Sequence, residues 1–173
     1  MDDCIAIGSG EELASPAKSV DMKYGITKLG DVKWVVGMLV EHDHLVWTIS
    51  IPQEAFIDSI LAQFNLVDAS TISTPLAPGT QLSMANCPTE EDEKEEMGTH
   101  PYRELVGVLA WLAVGTQPDI AFATSSLTRF GHSPGRCHWE AAKRVLRYLK
   151  GTKMWRLKQG GKTPEVATFT DAD

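Results

Sequence analysis

An α+β fold is predicted for this 173-residue chain, with two β-hairpins, about five helices and no single continuous sheet. Three observations predict it. Runs rich in β-branched and aromatic residues flank short polar connections within 34–51 and again within 154–170. After Pro52 the apolar residues fall close to the i, i+3, i+4, i+7 spacing of a helix. From Tyr102 onward, three apolar-striped segments are separated by glycine and proline. An apolar share of 43% and a charged share of 23% belong to an ordinary globular protein long enough to bury a core.

No apolar run is long enough to span a bilayer, and no basic start leads into an apolar core and cleavage site. Neither a membrane span nor a secretory signal is therefore expected. The three cysteines, Cys4, Cys87 and Cys137, are far apart in sequence and lack Cys-x-x-Cys spacing. That pattern predicts a reducing intracellular, cytoplasmic setting and argues against a zinc site or disulfide framework. The net charge of −7 hides a division. Residues 1–100 carry 5 Lys and no Arg against 17 acids, a balance of −12, whereas 101–173 carry 11 Lys and Arg against 6 acids, a balance of +5. The basic second part keeps a polyanionic partner in play.

The chain opens on Met1-Asp2-Asp3-Cys4-Ile5-Ala6-Ile7-Gly8. Adjacent carboxylates repel, so a fold that sets Asp2 and Asp3 beside a buried strand needs a cation there, and magnesium takes oxygen ligands. A solvated acidic terminus explains the same residues. Gly8-Ser9-Gly10 then leads into a helix to about Lys23. The third glycine of a dinucleotide fingerprint is missing, so Ser9 or Gly10 as N-cap, with Glu11 and Glu12 in the first turn, is the preferred explanation. A hairpin follows, with arms 34–40 and 46–51 joined by Glu41-His42-Asp43-His44; His42 and His44 are expected to be solvated rather than a metal pair. Pro52 suits the first turn of a helix with Phe56, Ile57, Ile60, Leu61 and Phe64 on its apolar stripe.

From Asn65 to His100 the regularity is lost, and Glu90 to Glu96 is densely acidic. This stretch is expected to be a solvated linker between two structural units. Tyr102 to Ala113 reads as an apolar helix in which Gly107 allows a close approach. Pro118 opens a second helix, 120–130, and a third runs from about Arg136 to Lys150, closed by Gly151. Lys143, Arg147 and Lys150 lie along one flank of this third helix, at i, i+4 and i+7. Such a stripe fits a phosphate backbone, but taken by itself an ordinary solvated face is the preferred reading. A final hairpin is expected from 154–157 and 166–170, running into Asp171-Ala172-Asp173.

Three blocks carry a resemblance: Tyr102-Arg103-Glu104-Leu105-Val106-Gly107, Gly115-Thr116-Gln117-Pro118-Asp119-Ile120-Ala121, and the run from His138 to Thr152. In order and spacing they resemble the polyprotein of copia-type retrotransposons, between the reverse transcriptase core and ribonuclease H. The resemblance covers essentially all 173 residues. It implies that Asp2 and Asp3 are the two aspartates of the polymerase box and ligands of a catalytic magnesium. Residues 29–51, including Gly37 and Met38, are similar to the primer-grip hairpin, the helix after Pro52 resembles the start of the thumb, and Ser73-Thr74-Pro75-Leu76 matches the next block. Asp171 stands at the position of the first metal-binding aspartate of ribonuclease H.

The organisation implied is the end of the palm, the grip and the first thumb helix in 1–64, and an acidic linker in 65–100. A helical thumb and connection region would fill 101–152, with the start of ribonuclease H in 153–173. The chemistry implied is two-metal nucleotidyl transfer on an RNA template and DNA primer, with Gly37 and Met38 next to the primer. Lys143, Arg147 and Lys150 are candidates for the nucleic acid from their spacing alone. A virus-like particle or the nucleus are further locations the resemblance allows. The remaining palm aspartate, the fingers and the later ribonuclease H carboxylates are expected outside 1–173, which leaves the chain inactive alone. The competing readings are a non-catalytic nucleic-acid-binding module using 136–150, and a decayed element with no present role.

Overall fold

The computed structural model describes residues 5–6 and 10–161. The chain divides into two compact units, Met1–Val40 and Glu41–Asp173. In the first, helix α1 (Gly10–Tyr24) places Glu11 and Glu12 in its first turn and Lys23 in its last, the arrangement its dipole favours. It buries no residue. Strands β1 (Trp34–Val35) and β2 (Met38–Leu39) pair antiparallel, Trp34 opposite Leu39 and Val35 opposite Met38. Val36 and Gly37 between them both have positive φ, 48° and 77°. A two-residue turn of that kind matches the strand twist; glycine adopts it freely, whereas the β-branched Val36 is strained there.

The expected single hairpin is instead two. Gly37 reverses the chain inside the first apolar run, and Asp43 reverses it again: its Oδ1 accepts the Leu45 and Val46 N–H groups at 3.0 and 3.3 Å. Glu41–Asp43, read from sequence as the connection, is therefore strand β3, pairing with β4 (Thr48–Ile51).

In the second unit the sheet order is β3-β4-β5, with β5 (Leu157–Gly160) on the other edge of β4 and Ile51 opposite Leu157. The sequence reading instead set 154–157 against 166–170, and 166–170 lie outside the described residues. An ion pair accompanies this arrangement: Arg156 Nη1 lies 2.6 Å from Glu41 Oε2, linking the approach to β5 with β3.

The core is helical. Helices α2 (Glu54–Gln63), α4 (Tyr102–Gly115), α5 (Ala121–Thr128) and α6 (Arg136–Thr152) bring together Ile57, Leu105, Leu109, Leu127, Val145 and Leu146, all fully buried. Six to twelve neighbours around each such side chain is the usual condition of a core residue, and burying one contributes about 1.5–3 kcal/mol. Phe56, expected on the inner stripe of α2, is 38% exposed. A turn of 3-10 helix, Pro118–Ile120, links α4 to α5, as Pro118 foretells.

Three expectations are corrected. The acidic run is not a loop: Glu91–Gly98 forms helix α3, with Glu91, Asp92 and Glu93 in the first turn, where the dipole favours negative charge, and only Met97 buried. Gly107 meets no neighbour that a methyl group would touch. Gly151 does not end its helix; α6 runs on to Thr152, and Gly151 faces Thr71, whose Cβ would lie 3.4 Å from an added methyl.

The stretch 65–100 also differs from a linker between units. It lies wholly inside the second unit, because Leu66, Ile72, Leu76 and Leu82 pack their side chains on the helical core.

Candidate functional site

The residues singled out for chemistry fall in three places. Asp2, Asp3 and Asp171 lie outside the described residues. Ile5 and Ala6, the described part of the expected opening strand, are exposed and in no strand. Gly37 and Met38 form the β1–β2 turn, Gly37 in the positive-φ position and Met38 half-buried as the first residue of β2. Lys143, Arg147 and Lys150 share a flank of α6, as their spacing predicts.

The structure gives that flank partners within the chain. Arg147 donates from Nε to the Ser70 carbonyl at 2.8 Å and from Nη2 to Ser70 Oγ at 2.6 Å. Lys150 Nζ donates to the carbonyls of Val67 and Ala69 at 2.6 and 2.8 Å. Arg144, which the stripe did not include, donates to Thr74 Oγ1 at 3.0 Å. Together the three cations clamp residues 67–74 along α6. A segment without strand or helix leaves its carbonyls unpaired, and the long basic side chains supply the missing donors. Lys143 turns the other way, onto Glu140 Oε1 at 2.7 Å and over the Trp139 ring at 5.7 Å.

The start of α6 is a second built region. His138 is fully buried, and its Nδ1 accepts the Gly135 N–H at 2.9 Å, satisfying a donor at the helix start. Its ring stacks on Phe130 at 4.0 Å. Burial holds its pKa below the ordinary histidine value, the Ser83 carbonyl opposing this in part. Gly135 lies so close to the turn 83–87 that a side chain there would overlap the Asn86 carbonyl. One turn further on, Trp139 stacks on His100 at 5.0 Å.

At the far end of α6, Tyr148 donates to Asp119 Oδ2 at 2.5 Å. Burial first, and that carboxylate second, push its hydroxyl up to about 12. Nearby, the buried Thr116 hydroxyl donates to Gln53 Oε1, and Gln117 Nε2 to the Trp155 carbonyl at 3.4 Å. The Gly115–Ala121 block thus anchors α2 and the chain after α6 to the end of α4. Sequence spacing had marked this block only as a helix break.

A cavity of about 750 Å³ opens where α3, the start of α4 and the loop 131–134 meet. Met97, Pro101 and Tyr102 line its apolar wall; Lys94 and Arg103 bring positive charge to it, Glu104 a carboxylate and His132 an imidazole. Arg103 is held there by its Nε, which donates to the Gly131 carbonyl at 2.6 Å.

The magnesium implied by the resemblance finds no set of ligands among the described residues: no three His, Cys, Asp or Glu side chains converge on one point. His42 and His44 stack on each other at 5.7 Å. Among the described residues, no helix is long and apolar enough to cross a membrane.

Comparison with known proteins gives three whole-chain relatives. The Retrovirus-related Pol polyprotein from transposon TNT 1-94 of Nicotiana tabacum is 38% identical over 178 residues, covering 100% of this chain and 13% of the relative. Those from transposons RE1 and RE2 of Arabidopsis thaliana are 29% and 28% identical over 175 residues, covering 100% of this chain and 11% of each relative. No family model matches the chain, and no solved structure does. The chain is thus homologous along its whole length to a segment of the Pol polyproteins of plant retrotransposons, and spans between 11% and 13% of the length of these three relatives.

Proposed function

We propose that the chain serves as the structural body of a reverse transcriptase's carboxy-terminal part: it carries the primer-gripping hairpin and leads into ribonuclease H. The observation that supports this most is the identity of 38% with the tobacco transposon polyprotein, sustained over the whole chain. In this reading the activity of the polyprotein is RNA-directed DNA polymerisation. Asp2 and Asp3 would hold magnesium together with carboxylates contributed from elsewhere in the polyprotein, and Asp171 would do the same for ribonuclease H. RNA template and DNA primer are the partners proposed, with Gly37 and Met38 next to the primer. Helices α2, α4, α5 and α6 supply rigidity, which two-metal chemistry needs because ligands must be held within a fraction of an ångström.

A free-standing nucleic-acid-binding module built on 136–150 is less well supported. Two of the three cations it requires, Arg147 and Lys150, are already bonded to residues 67–70, and Lys143 is paired with Glu140.

The test is replacement. The tobacco polyprotein is expressed with this chain in place of its matching segment and assayed for primer extension on an RNA template with magnesium. Extension above that of a polyprotein lacking the segment supports the proposal. Extension no better than that deletion overturns it, provided the hybrid is soluble and folded by circular dichroism.

A further inference from the structure

Cys87 and Cys137 are separated by fifty residues, and nothing in their spacing suggests a pair. The fold sets their neighbourhoods together. Cys87 closes the 3-10 turn Met84–Asn86, and Cys137 is the second residue of α6. Gly135, two residues before Cys137, lies against the carbonyl of Asn86, the residue before Cys87. Only a glycine allows that approach, since any Cβ would overlap the carbonyl oxygen. His138, next to Cys137, fixes the same junction by capping Gly135 and stacking on Phe130. Both thiols are free; Cys87 is half-buried and Cys137 exposed.

We propose that Cys87 and Cys137 form a reversible redox pair, closing to a disulfide that staples the 83–87 turn to the start of α6. The co-reactant is a small disulfide such as oxidised glutathione. The exposed Cys137, as thiolate, attacks one glutathione sulfur; the glutathione S–S bond breaks and one glutathione leaves with its electron pair. The Cys87 thiolate then attacks Sγ of Cys137, forming the Cys87–Cys137 bond and releasing the second glutathione. Two protein thiols are oxidised and one glutathione disulfide is reduced to two thiols. Bridging requires Cα atoms about 4.4–6.8 Å apart, and the 83–87 turn, which is not part of a longer element, can supply the adjustment. Partial burial pushes the Cys137 thiol up, backbone N–H groups at the helix start oppose this in part, and a thiolate at Cys87 adds to the rise. Closure therefore accelerates as pH rises above neutrality.

The purified full chain is incubated with oxidised glutathione at pH 8 under native conditions, then mapped by non-reducing digestion and mass spectrometry. The expected product has one cross-linked peptide pair containing Cys87 and Cys137, with Cys4 outside the bridge as a thiol or a glutathione adduct. The same treatment in 8 M urea scrambles the pairing among the three cysteines, because the fold that selects it is gone. In C137S, Cys87 retains a glutathione adduct and no bridge forms. A native bridge through Cys4, separate glutathione adducts on Cys87 and Cys137, or three persistent thiols would overturn the proposal.

Discussion

The substitution Arg147→Met keeps the aliphatic stem that lies on α6 and removes the guanidinium. Two hydrogen bonds from a charged donor are lost, to the Ser70 carbonyl at 2.8 Å and to Ser70 Oγ at 2.6 Å. Hydrogen bonds to charged groups contribute about 1.5–3 kcal/mol when well shielded. Arg147 is half-buried, so solvent competes for its bonds and the expected loss falls to about 1–2 kcal/mol. With a urea slope of about 2 kcal/mol/M, the unfolding midpoint drops by roughly 0.5–1 M. Tryptophan fluorescence reads the transition, since Trp139 is buried in the same helix.

Lys150→Met weakens the same segment. The two losses should be non-additive, because once one clamp opens the other holds a looser chain. If Arg147 instead belonged to a solvated stripe, its removal would shift the midpoint by less than about 0.2 M, within the range of ordinary surface substitutions. That result would refute the clamp.

Other substitutions follow from single contacts. Gly151→Ala should stabilise by up to about 1 kcal/mol, since the residue is helical and the added methyl reaches only ordinary contact with Thr71; loss of stability in urea unfolding would mean that Gly151 is a left-handed cap after all. Gly135→Ala has the opposite sign, because the methyl collides with the Asn86 backbone, and a melting temperature unchanged from the parent would contradict the packing described. Leu109→Ala, at a fully buried site, should cost about 2–5 kcal/mol, whereas Val114→Ser, 89% exposed, should shift the midpoint hardly at all.

His138 predicts a pH dependence. Its folded pKa lies below the unfolded value, so the unfolded chain binds the proton more readily. Its contribution to stability is present above the unfolded pKa of about 6.5 and is lost as pH falls from there toward the folded value. His138→Gln should flatten the urea midpoint between pH 7.5 and pH 5.5; an unaltered slope would remove His138 as the cause.

What the sequence revealed, and what it hid, divides by range of interaction. Helices α4 and α6 were legible because their apolar positions repeat locally, and α1 because Glu11 and Glu12 stand in its first turn, as Glu104 does in that of α4. Pro118 marked its break for the same reason. The strand partners were not legible, because β5 pairs with β4 across more than a hundred residues, and the nearer arm looked just as suitable. Gly37 was placed inside a strand because an apolar run hides a two-residue turn whose only signal is one glycine.

The acceptors of Arg147 and Lys150 sit 77 to 83 residues away and, the Ser70 hydroxyl apart, are backbone carbonyls, which carry no signature in sequence. The same blindness applies to Cys87 and Cys137. Glu90–Glu96 was legible as solvated, though not as helical, since it lacks an apolar repeat, while the helix dipole and the Lys94–Glu91 pair favour a turn of helix.

The proposed role as a reverse transcriptase segment is tested most directly in the hybrid tobacco polyprotein by Asp2→Asn and Asp3→Asn, introduced singly and scored by primer extension with magnesium. Each should abolish extension, with the hybrid still soluble and folded by circular dichroism. Extension undiminished by both substitutions would contradict the assignment of Asp2 and Asp3 to the polymerase site.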